Sequence, residues 1–227
     1  MHQMKQPEIL SRFCSEFTGL LDHNLPGAEA HERLAPSNRS ELLKLGKNGP
    51  APQLSGVLIL MYARREQINL VFIQRSIYKG IHSGQVSFPG GKADPQDRDL
   101  AQTALRETFE EVGVHPDSID FIGRISDLYV PPSNFIIRPF VGMYKGEPRF
   151  VPDPVEVAEV FSVPLSFLLN YKDEINHPVV LSNGSSMLVP GFKFGPHLIW
   201  GATAMILSEF LTLAFHCPSV KLISAYD

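Results

Sequence analysis

The sequence predicts an α+β fold, in which a mixed β-sheet lies between α-helices and a helical extension precedes the sheet at the N-terminus. Two strand-like segments follow one another from residue 56, and helical periodicity appears near both chain ends and once between them. Strand and helix segments do not alternate with the regular spacing of βαβ units, and this favours a mixed sheet over a parallel one.

The composition fits one well-buried domain with an extension. The chain has 227 residues, of which 44% are hydrophobic and 19% charged, as is ordinary for a globular protein. The net charge of −4 provides no basic field for a phosphate backbone, so nucleic acid is not expected as a partner. We expect residues 1–50 to form an N-terminal helix with an irregular connection, and residues 51–227 to form the main domain.

Residues 7–21 make up the first predicted element, because Ile9, Phe13 and Phe17 recur at helical intervals. This amphipathic helix either covers the core or pairs with a second subunit in a homodimer. Residues 22–54 carry Pro, Gly, Asn and Ser without a period and predict an irregular connection. The N-terminus lacks the uninterrupted apolar segment of a signal peptide, so a cytoplasmic location is expected.

The later elements follow from alternating or periodic apolar residues. Residues 56–64 and 68–75 flank a short polar turn and predict a β-hairpin, after which 76–99 forms a long loop containing glycines. Beyond the central helix described below, the sequence predicts strands at 121–128, 136–143, 187–192 and 197–200, a short helix at 164–169 and a closing helix at 202–214.

The apolar stretch 198–217 is long enough to resemble a membrane span. Glu209 stands near its middle, where an acidic side chain costs about 2.5–3.5 kcal/mol on insertion scales. A buried helix is therefore favoured, and no membrane partner is expected. Cys14 and Cys217 stand near opposite chain ends without metal-ligand spacing, so we expect two reduced thiols that serve packing.

The central helix is predicted over residues 100–112. Asp99 suits the N-cap position with Gln102 as its capping-box partner, and Gly113 suits the left-handed position that ends a helix. The loop 84–97 before the helix contains adjacent glycines, which permit close approach of a ligand. The N-terminus of the helix that follows suits an anion.

Glu107, Glu110 and Glu111 stand on this helix at spacings of three and four. Like charges at these spacings repel each other by about 0.2–0.5 kcal/mol per pair. A solvated acidic face is one interpretation. The other is a site for a divalent cation such as magnesium, which prefers carboxylate oxygens and turns the repulsion into attraction. Arg106 adjoins the cluster and is expected to orient one carboxylate through a charge-assisted hydrogen bond.

The loop and the helix together resemble the Nudix box, Gly-x5-Glu-x7-Arg-Glu-U-x-Glu-Glu-x-Gly-U, in which U is apolar. The residues that carry the resemblance are Gly91, Arg106, Glu107, Glu110, Glu111, Gly113 and Val114. Thr108 occupies an apolar position of the second half. The first half is one residue longer than the pattern, and its acidic position falls to Asp97 or Asp99.

The preceding segment, VFIQRSIYKGIHSGQVSFPGG at 71–91, resembles an additional motif of the coenzyme A pyrophosphatase branch of Nudix hydrolases. The matching residues are Arg75, Ser76, Gly84, Phe88, Pro89, Gly90 and Gly91. Gly80 replaces the second arginine of that motif, and Lys79 stands beside it.

The resemblance implies a Nudix fold and a magnesium- or manganese-dependent hydrolase acting on a small molecule. The substrate would be coenzyme A or acyl-coenzyme A, cleaved to adenosine 3′,5′-bisphosphate and a 4′-phosphopantetheine. Two alternatives stay open: a Nudix enzyme acting on ADP-ribose or a dinucleotide, and a non-enzymatic nucleotide-binding module. The second alternative would normally lack one of the three glutamates.

The resemblance also implies a set of site residues. The expected metal ligands are Glu107, Glu110 and Glu111, and with Arg106 and Glu159 they form the expected catalytic set. The expected substrate-binding residues are Arg75, Ser76, Lys79, Gly90 and Gly91.

The general base and the phosphate-binding cations are less narrowly defined. Glu156 and Glu159 lie where the family carries a base-bearing loop, and exposed charges at a strand edge are the alternative for both. His82 is a further candidate because histidine is a common acid or base in enzymes, but a packing or hydrogen-bonding role is favoured for it. Further cations that could attract an anionic substrate are Lys92, Arg98 and Arg138.

Overall fold

The computed structural model of the chain describes residues 6–46, 49–64, 67–78, 80, 82–172, 176–180 and 184–220. The helices are α1 Gln6–Leu21, α2 Gly27–Glu32, α3 Arg39–Gly46, α4 Leu100–Val112, α5 Leu165–Leu169 and α6 Gly201–Phe215. The strands are β1 Gln53–Arg64, β2 Gln67–Arg75, β3 Val86–Ser87, β4 Gly90–Lys92, β5 Ile119–Arg124, β6 Leu128–Val130, β7 Phe135–Tyr144, β8 Val157–Pro164, β9 Asn176–Val180, β10 Ser186–Phe194 and β11 His197–Trp200. A short 3-10 helix, Pro116–Ser118, precedes β5.

An eight-stranded mixed sheet forms the centre of the molecule. The strand order is β3-β2-β1-β7-β5, with β4 paired to β1, β6 to β7 and β8 to β2. β1 runs parallel to β7, with Gln53 opposite Phe135 and Met61 opposite Met143. β1 and β2 form the antiparallel hairpin that the sequence predicts, with Arg64 opposite Gln67. The turn residues Arg65 and Glu66 lie outside the described residues.

Both faces of this sheet are buried, which explains why β1 is almost continuously apolar. Ile59 and Met61 belong to one core cluster, which contains residues of α1 and α6. Leu58 and Leu60 alternate with them and belong to a second cluster, which contains Ala104 of α4. The predicted arrangement of a mixed sheet between helices is therefore confirmed.

α1 covers the first of these clusters, which was one of the two roles expected for it. Phe13 and Phe17 are fully buried, and the Phe17 ring lies 5.1 Å from that of Phe210 in α6. The homodimer stays a prediction. Cys14 and Cys217 are free, and burial raises the pKa of their thiols to about 11 and about 12.

The prediction that residues 22–54 are irregular is wrong, because they contain α2 and α3 and enter β1 at Gln53. α2 has only six residues, too few for a periodic pattern to be visible. Tertiary contacts hold it in place: His31 Nε2 lies 2.9 Å from Glu209 Oε2, and the Gly27 N–H donates to Glu209 Oε1 at 3.0 Å.

Glu209 explains why an apolar C-terminal helix carries an acidic residue. Its side chain is 0% exposed and also accepts hydrogen bonds from the Ser126 hydroxyl at 2.7 Å and the Ser126 N–H at 3.2 Å. Burial raises the pKa of Glu209, but hydrogen bonds from His31, Ser126 and Gly27 outweigh it and hold the pKa below its ordinary value. Among the helices of the described residues, none is long and apolar enough to cross a membrane.

Several other elements differ from the sequence prediction. The strand expected at 121–128 is divided into β5 and β6, because residues 125–127 interrupt it where Ser126 donates its hydroxyl to Glu209. The loop expected at 76–99 contains β3 and β4. β8 and β9 were not predicted. β9 joins β10 and β11 in a separate three-stranded antiparallel sheet.

α4 has the predicted bounds and the predicted caps. The Asp99 carboxylate accepts a hydrogen bond from the Gln102 N–H at 2.8 Å, and Gly113 adopts the left-handed conformation with φ 73°. The expected capping box differs in one detail. The Gln102 side chain accepts from the Arg98 N–H at 2.8 Å instead of from the Asp99 N–H.

We expect Asp99→Ala to lower the free energy of unfolding by about 1 kcal/mol, because it removes the N-cap acceptor of α4. Urea denaturation measures this loss, and Asp117→Ala, at an exposed carboxylate, is the matched control. Activity should fall only modestly. A large loss of turnover at unchanged stability would contradict a purely structural role for Asp99.

Candidate active site

α4 approaches β1 closely because Gly56 has no side chain. A Cβ at Gly56 would collide with the Leu100 carbonyl oxygen and lie 3.1 Å from the Ala104 nitrogen. Thr108 stands in the apolar position of the helix pattern, where it is fully buried, and its hydroxyl donates to the Ala104 carbonyl at 2.6 Å. The hydroxyl is thus satisfied within the helix, and the opposite helix face is left for the glutamates.

Gly90 and Gly91 allow the carboxylates of α4 to reach the backbone of β4. Gly90 has φ 147° and donates its N–H to Glu111 Oε2 at 2.8 Å. A Cβ at Gly91 would collide with the Glu107 carboxylate. Gly91 therefore has a steric role beside Glu107, whereas a Cβ at Gly90 would collide with Gly56 and Val57 of β1.

Glu111 is the most buried carboxylate of the cluster, with 2% of its side chain exposed. Arg75 Nη1, at the end of β2, lies 3.3 Å from Glu111 Oε1. Burial raises the pKa of Glu111 to about 7, although the Gly90 N–H and Arg75 oppose the shift. The negative charges of Glu107 and Glu156 also raise the pKa of Glu111.

Arg106 joins three carboxylates around one guanidinium group. Its Nε and Nη2 donate to the two carboxylate oxygens of Asp97 at 3.0 and 2.9 Å. Its Nη1 donates to Glu107 Oε1 and Glu110 Oε2, both at 2.8 Å. The hydrogen bonds from Arg106 hold the pKa of Asp97 well below its usual range. Burial raises the pKa of Glu107, while its hydrogen bond to Arg106 opposes the shift.

These contacts distinguish the two acidic residues in the lengthened first half of the motif. Asp97 pairs with Arg106, whereas Asp99 caps the helix. The additional residue is taken up in a turn, in which the Asp97 N–H donates to the Asp94 carbonyl at 3.0 Å. The Thr103 hydroxyl donates to Asp97 at 2.8 Å and fixes it further.

The donor chemistry of the three glutamates fits a hard divalent cation. Their oxygens lie on one helix face, and burial raises the pKa of Glu107 and Glu111, so a positive charge beside them would offset an existing cost. Within the described part of the chain, no three His, Cys, Asp or Glu side chains already converge as a metal cage. In this structure Arg106 Nη1 donates hydrogen bonds to Glu107 and Glu110. It would have to release their carboxylate oxygens before these could bind a cation.

The two candidates for the general base lie in different surroundings. Glu156 contributes to the raised pKa of both Glu107 and Glu111, so its charge lies within electrostatic reach of the cluster. Glu159 is 55% exposed on β8, with Oε1 3.6 Å from His197 Nε2.

The remaining predicted residues are distributed around the loop before β3. The Ser76 N–H donates to the Glu156 carbonyl at 2.9 Å. His82 Nδ1 lies 3.0 Å from Gln85 Oε1, in agreement with a hydrogen-bonding role. Arg138 pairs with both oxygens of Asp127, at 2.8 and 2.7 Å. Lys79 lies outside the described residues.

Lys92 and Arg98, the other expected cations, are placed beside the carboxylate helix. The Lys92 carbonyl accepts a hydrogen bond from Arg106 Nη2 at 3.3 Å. Arg98 Nε donates to Gln102 Oε1 at 3.0 Å. Sequence reasoning missed Gln74 and His197, whose side chains meet beside the same loop. No local signal could have found this pair, because 123 positions separate its members.

The NUDIX domain family matches residues 52–183, which is more than half of the chain. The fold and the match define a pyrophosphohydrolase, a class of enzymes that generally needs divalent metal ions. The chain belongs to the Nudix family.

Two relatives and one solved structure illustrate the match. The human mitochondrial coenzyme A diphosphatase NUDT8 is 34% identical over 190 residues, covering 83% of this chain and 74% of that protein. The uncharacterized Nudix hydrolase NudL of Photorhabdus laumondii is 35% identical over 140 residues, covering 62% of this chain and 74% of that protein. A MutT/nudix family protein from Enterococcus faecalis shares the fold at a TM-score of 0.51 and 17% identity, covering 85% of this chain and 76% of that chain. Because the human relative is mitochondrial, the cytoplasmic location stays a prediction.

We expect Glu111→Gln to stabilise the metal-free protein at pH 8 by up to about 3 kcal/mol, at about 1.4 kcal/mol per unit of raised pKa. The folded state holds the Glu111 proton more tightly than the unfolded chain does. Ionisation therefore costs stability as the pH rises from the ordinary value of 4.5 to about 7. The advantage of the variant should shrink towards zero as the pH falls to about 4.5.

Urea denaturation in EDTA across this pH range measures the effect, with Glu110→Gln as the control because Glu110 is 55% exposed. Added Mg²⁺ should raise the melting temperature of the wild type more than that of Glu111→Gln. Equal stabilisation of both proteins by Mg²⁺ would remove Glu111 from the set of proposed ligands.

Proposed function

We propose that this chain hydrolyses the pyrophosphate of coenzyme A or acyl-coenzyme A, giving adenosine 3′,5′-bisphosphate and free or acylated 4′-phosphopantetheine. The observation that carries the proposal is the contact between Arg75 Nη1 and Glu111 Oε1 at 3.3 Å. This contact brings the segment that resembles the coenzyme A branch motif, through Arg75, to Glu111 on α4, so that both lie in one site. The 34% sequence identity to a human coenzyme A diphosphatase supports the same substrate class.

We assign Glu107, Glu110 and Glu111 as the ligands of Mg²⁺ or Mn²⁺. Such an ion neutralises pyrophosphate oxygens and activates an attacking water when it is bound. Arg106 holds Glu107 and Glu110 in place from its anchor on Asp97, and its planar fork suits two carboxylates at once.

Arg75 is proposed to bind the pyrophosphate, because its guanidinium lies at the carboxylate cluster and is partly exposed. Gly91 leaves space for the Glu107 carboxylate, and Gly90 donates its N–H to Glu111. Ser76 follows Arg75 directly in the chain and keeps its proposed substrate-binding role. The proposed role of Lys79 in phosphate binding rests on the motif alone.

Glu156 is the better supported candidate for the general base. A base must lie within hydrogen-bond reach of the attacking water, directly or through one further water, so it should lie near the carboxylates that would hold the ion. Glu156 lies within electrostatic reach of Glu107 and Glu111, whereas Glu159 contacts His197.

Coenzyme A or a short acyl-coenzyme A should be hydrolysed with a higher kcat/KM than ADP-ribose, NADH or diadenosine polyphosphates. Its 3′-phosphate is a dianion that cations beside the loop can recognise, so dephospho-coenzyme A should be the poorer substrate. Steady-state kinetics with identified products, in Mg²⁺ and separately in Mn²⁺, measures the ranking. If ADP-ribose and dephospho-coenzyme A were cleaved as efficiently as coenzyme A, the chain would keep its family but lose this substrate assignment.

Glu156→Gln should lower kcat on coenzyme A by about 100-fold, the lower part of the range for a general base. Glu159→Gln, the same change three positions along the chain, should lower kcat by less than about threefold because Glu159 faces His197. Steady-state kinetics of both variants on coenzyme A, which separate kcat from KM, test the assignment. The reverse order of the two variants would return the role to Glu159.

A further inference from the structure

We propose that His197 is a positioning residue for the substrate loop, defined here by the described residues 76–78, 80 and 82–85. His197 begins β11 in the three-stranded sheet, and it lies beyond the region 52–183 that matches the family. This inference rests on the proposed function, and it assigns part of substrate binding to a sheet that carries none of the proposed ligands.

His197 is held tightly against the main sheet. Its ring stacks on Phe161 of β8, with centroids 3.8 Å apart and an interplanar angle of 8°. Phe161 in turn stacks on Phe72, and Phe72 on Phe88, so the imidazole ends a row of four rings. Only 11% of the His197 side chain is exposed, and Glu159 lies 3.6 Å from its Nε2. The ring therefore has a fixed position from which to direct a hydrogen bond.

Hydrogen bonds lead from His197 into the loop. His197 Nδ1 lies 3.4 Å from Gln74 Oε1, and the Gln74 side-chain amide donates to the Gly84 carbonyl. The Gly84 N–H then donates to the Ser76 carbonyl at 3.3 Å, and the Ser76 N–H donates to the Glu156 carbonyl at 2.9 Å. One histidine thereby restrains both ends of the loop.

The same contact also bears on Arg75. Gln74 and Arg75 are neighbours on β2, where the ladder with β8 shifts register between them. Gln74 contacts His197, whereas Arg75 contacts Glu111. The two side chains reach different partners because adjacent strand residues project to opposite faces of the sheet. The contacts of Gln74 therefore help to fix the backbone from which Arg75 reaches the carboxylates. Loss of the His197 contact should therefore loosen Arg75 and leave the contacts of Glu107 and Glu110 with Arg106 in place.

His197→Phe keeps an aromatic ring on Phe161 and removes the Nδ1 donor, whereas His197→Asn places an amide N–H near the Nδ1 position and removes the ring. We expect His197→Phe to raise KM for coenzyme A by about two- to tenfold, the factor carried by one hydrogen bond, with kcat nearly unchanged. Gln74→Leu should behave in the same way, and the double variant should be no worse than either single one. His197→Asn should restore KM. His216→Phe, the same change at an exposed histidine, should have no effect.

Hydrogen–deuterium exchange of the peptide spanning the substrate loop gives a readout that needs no substrate. Exchange should be faster in His197→Phe and Gln74→Leu, and unchanged in His216→Phe. If the wild type does not cleave coenzyme A but exchange is faster in His197→Phe and Gln74→Leu, the proposed function is lost and the positioning role is supported. Unchanged exchange and KM in His197→Phe, with an active wild type, would overturn the positioning role alone. A KM defect in His197→Asn with a normal KM in His197→Phe would also overturn it, because ring stacking would then be the cause.

Discussion

The site depends on the guanidinium group of Arg106, which lies among groups from three parts of the chain. It forms a paired interaction with Asp97 in the loop, binds Glu107 and Glu110 on α4, and donates to the Lys92 carbonyl of β4 at 3.3 Å. Glutamates four residues apart or fewer repel each other on an isolated helix. Here one delocalised cation holds two of them in a defined geometry. A divalent ion would take over the charge that Nη1 supplies, while the pair with Asp97 keeps the arginine in place.

The third glutamate is held by different means. Glu111 is buried, and the Gly90 N–H and Arg75 are its hydrogen-bond donors within the described residues. Two donors do not compensate fully for the loss of water, so its pKa remains raised. The cluster therefore combines two carboxylates organised by an arginine with one that gains most from a nearby cation. This division follows from the approach of α4 to the glycine-containing strand, since a side chain at Gly91 would collide with the Glu107 carboxylate.

The part of the structure that could be predicted is the part encoded locally. The apolar run of β1, the caps Asp99 and Gly113, and the glutamate spacing each lie within a few residues, and each predicted element is present. Asp97 and Asp99 could not be told apart from sequence, because their roles depend on which one meets Arg106. α2 is too short to be periodic and is stabilised by Glu209, far along the chain. His197 was missed for the same reason, since its hydrogen-bond partner Gln74 lies 123 positions away in the chain. Long-range contacts that leave no local pattern therefore account for the main omissions.

Glu209 also has a consequence for where the folded unit begins. Residues 52–183 contain every proposed metal ligand and the proposed base, so the matched region looks like the natural unit to isolate. Yet Glu209 lies beyond that region and accepts hydrogen bonds from Gly27 and His31, which precede it. A protein trimmed to start at residue 52 and end at residue 220 would keep this carboxylate without those two partners. Leaving a buried hydrogen-bonding group without its partner costs about 1–3 kcal/mol, and more for a charged group, which is a large part of the stability of a typical domain. The N-terminal segment is in this respect an integral part of the catalytic fold, and the minimal folding unit is larger than the minimal set of active-site residues.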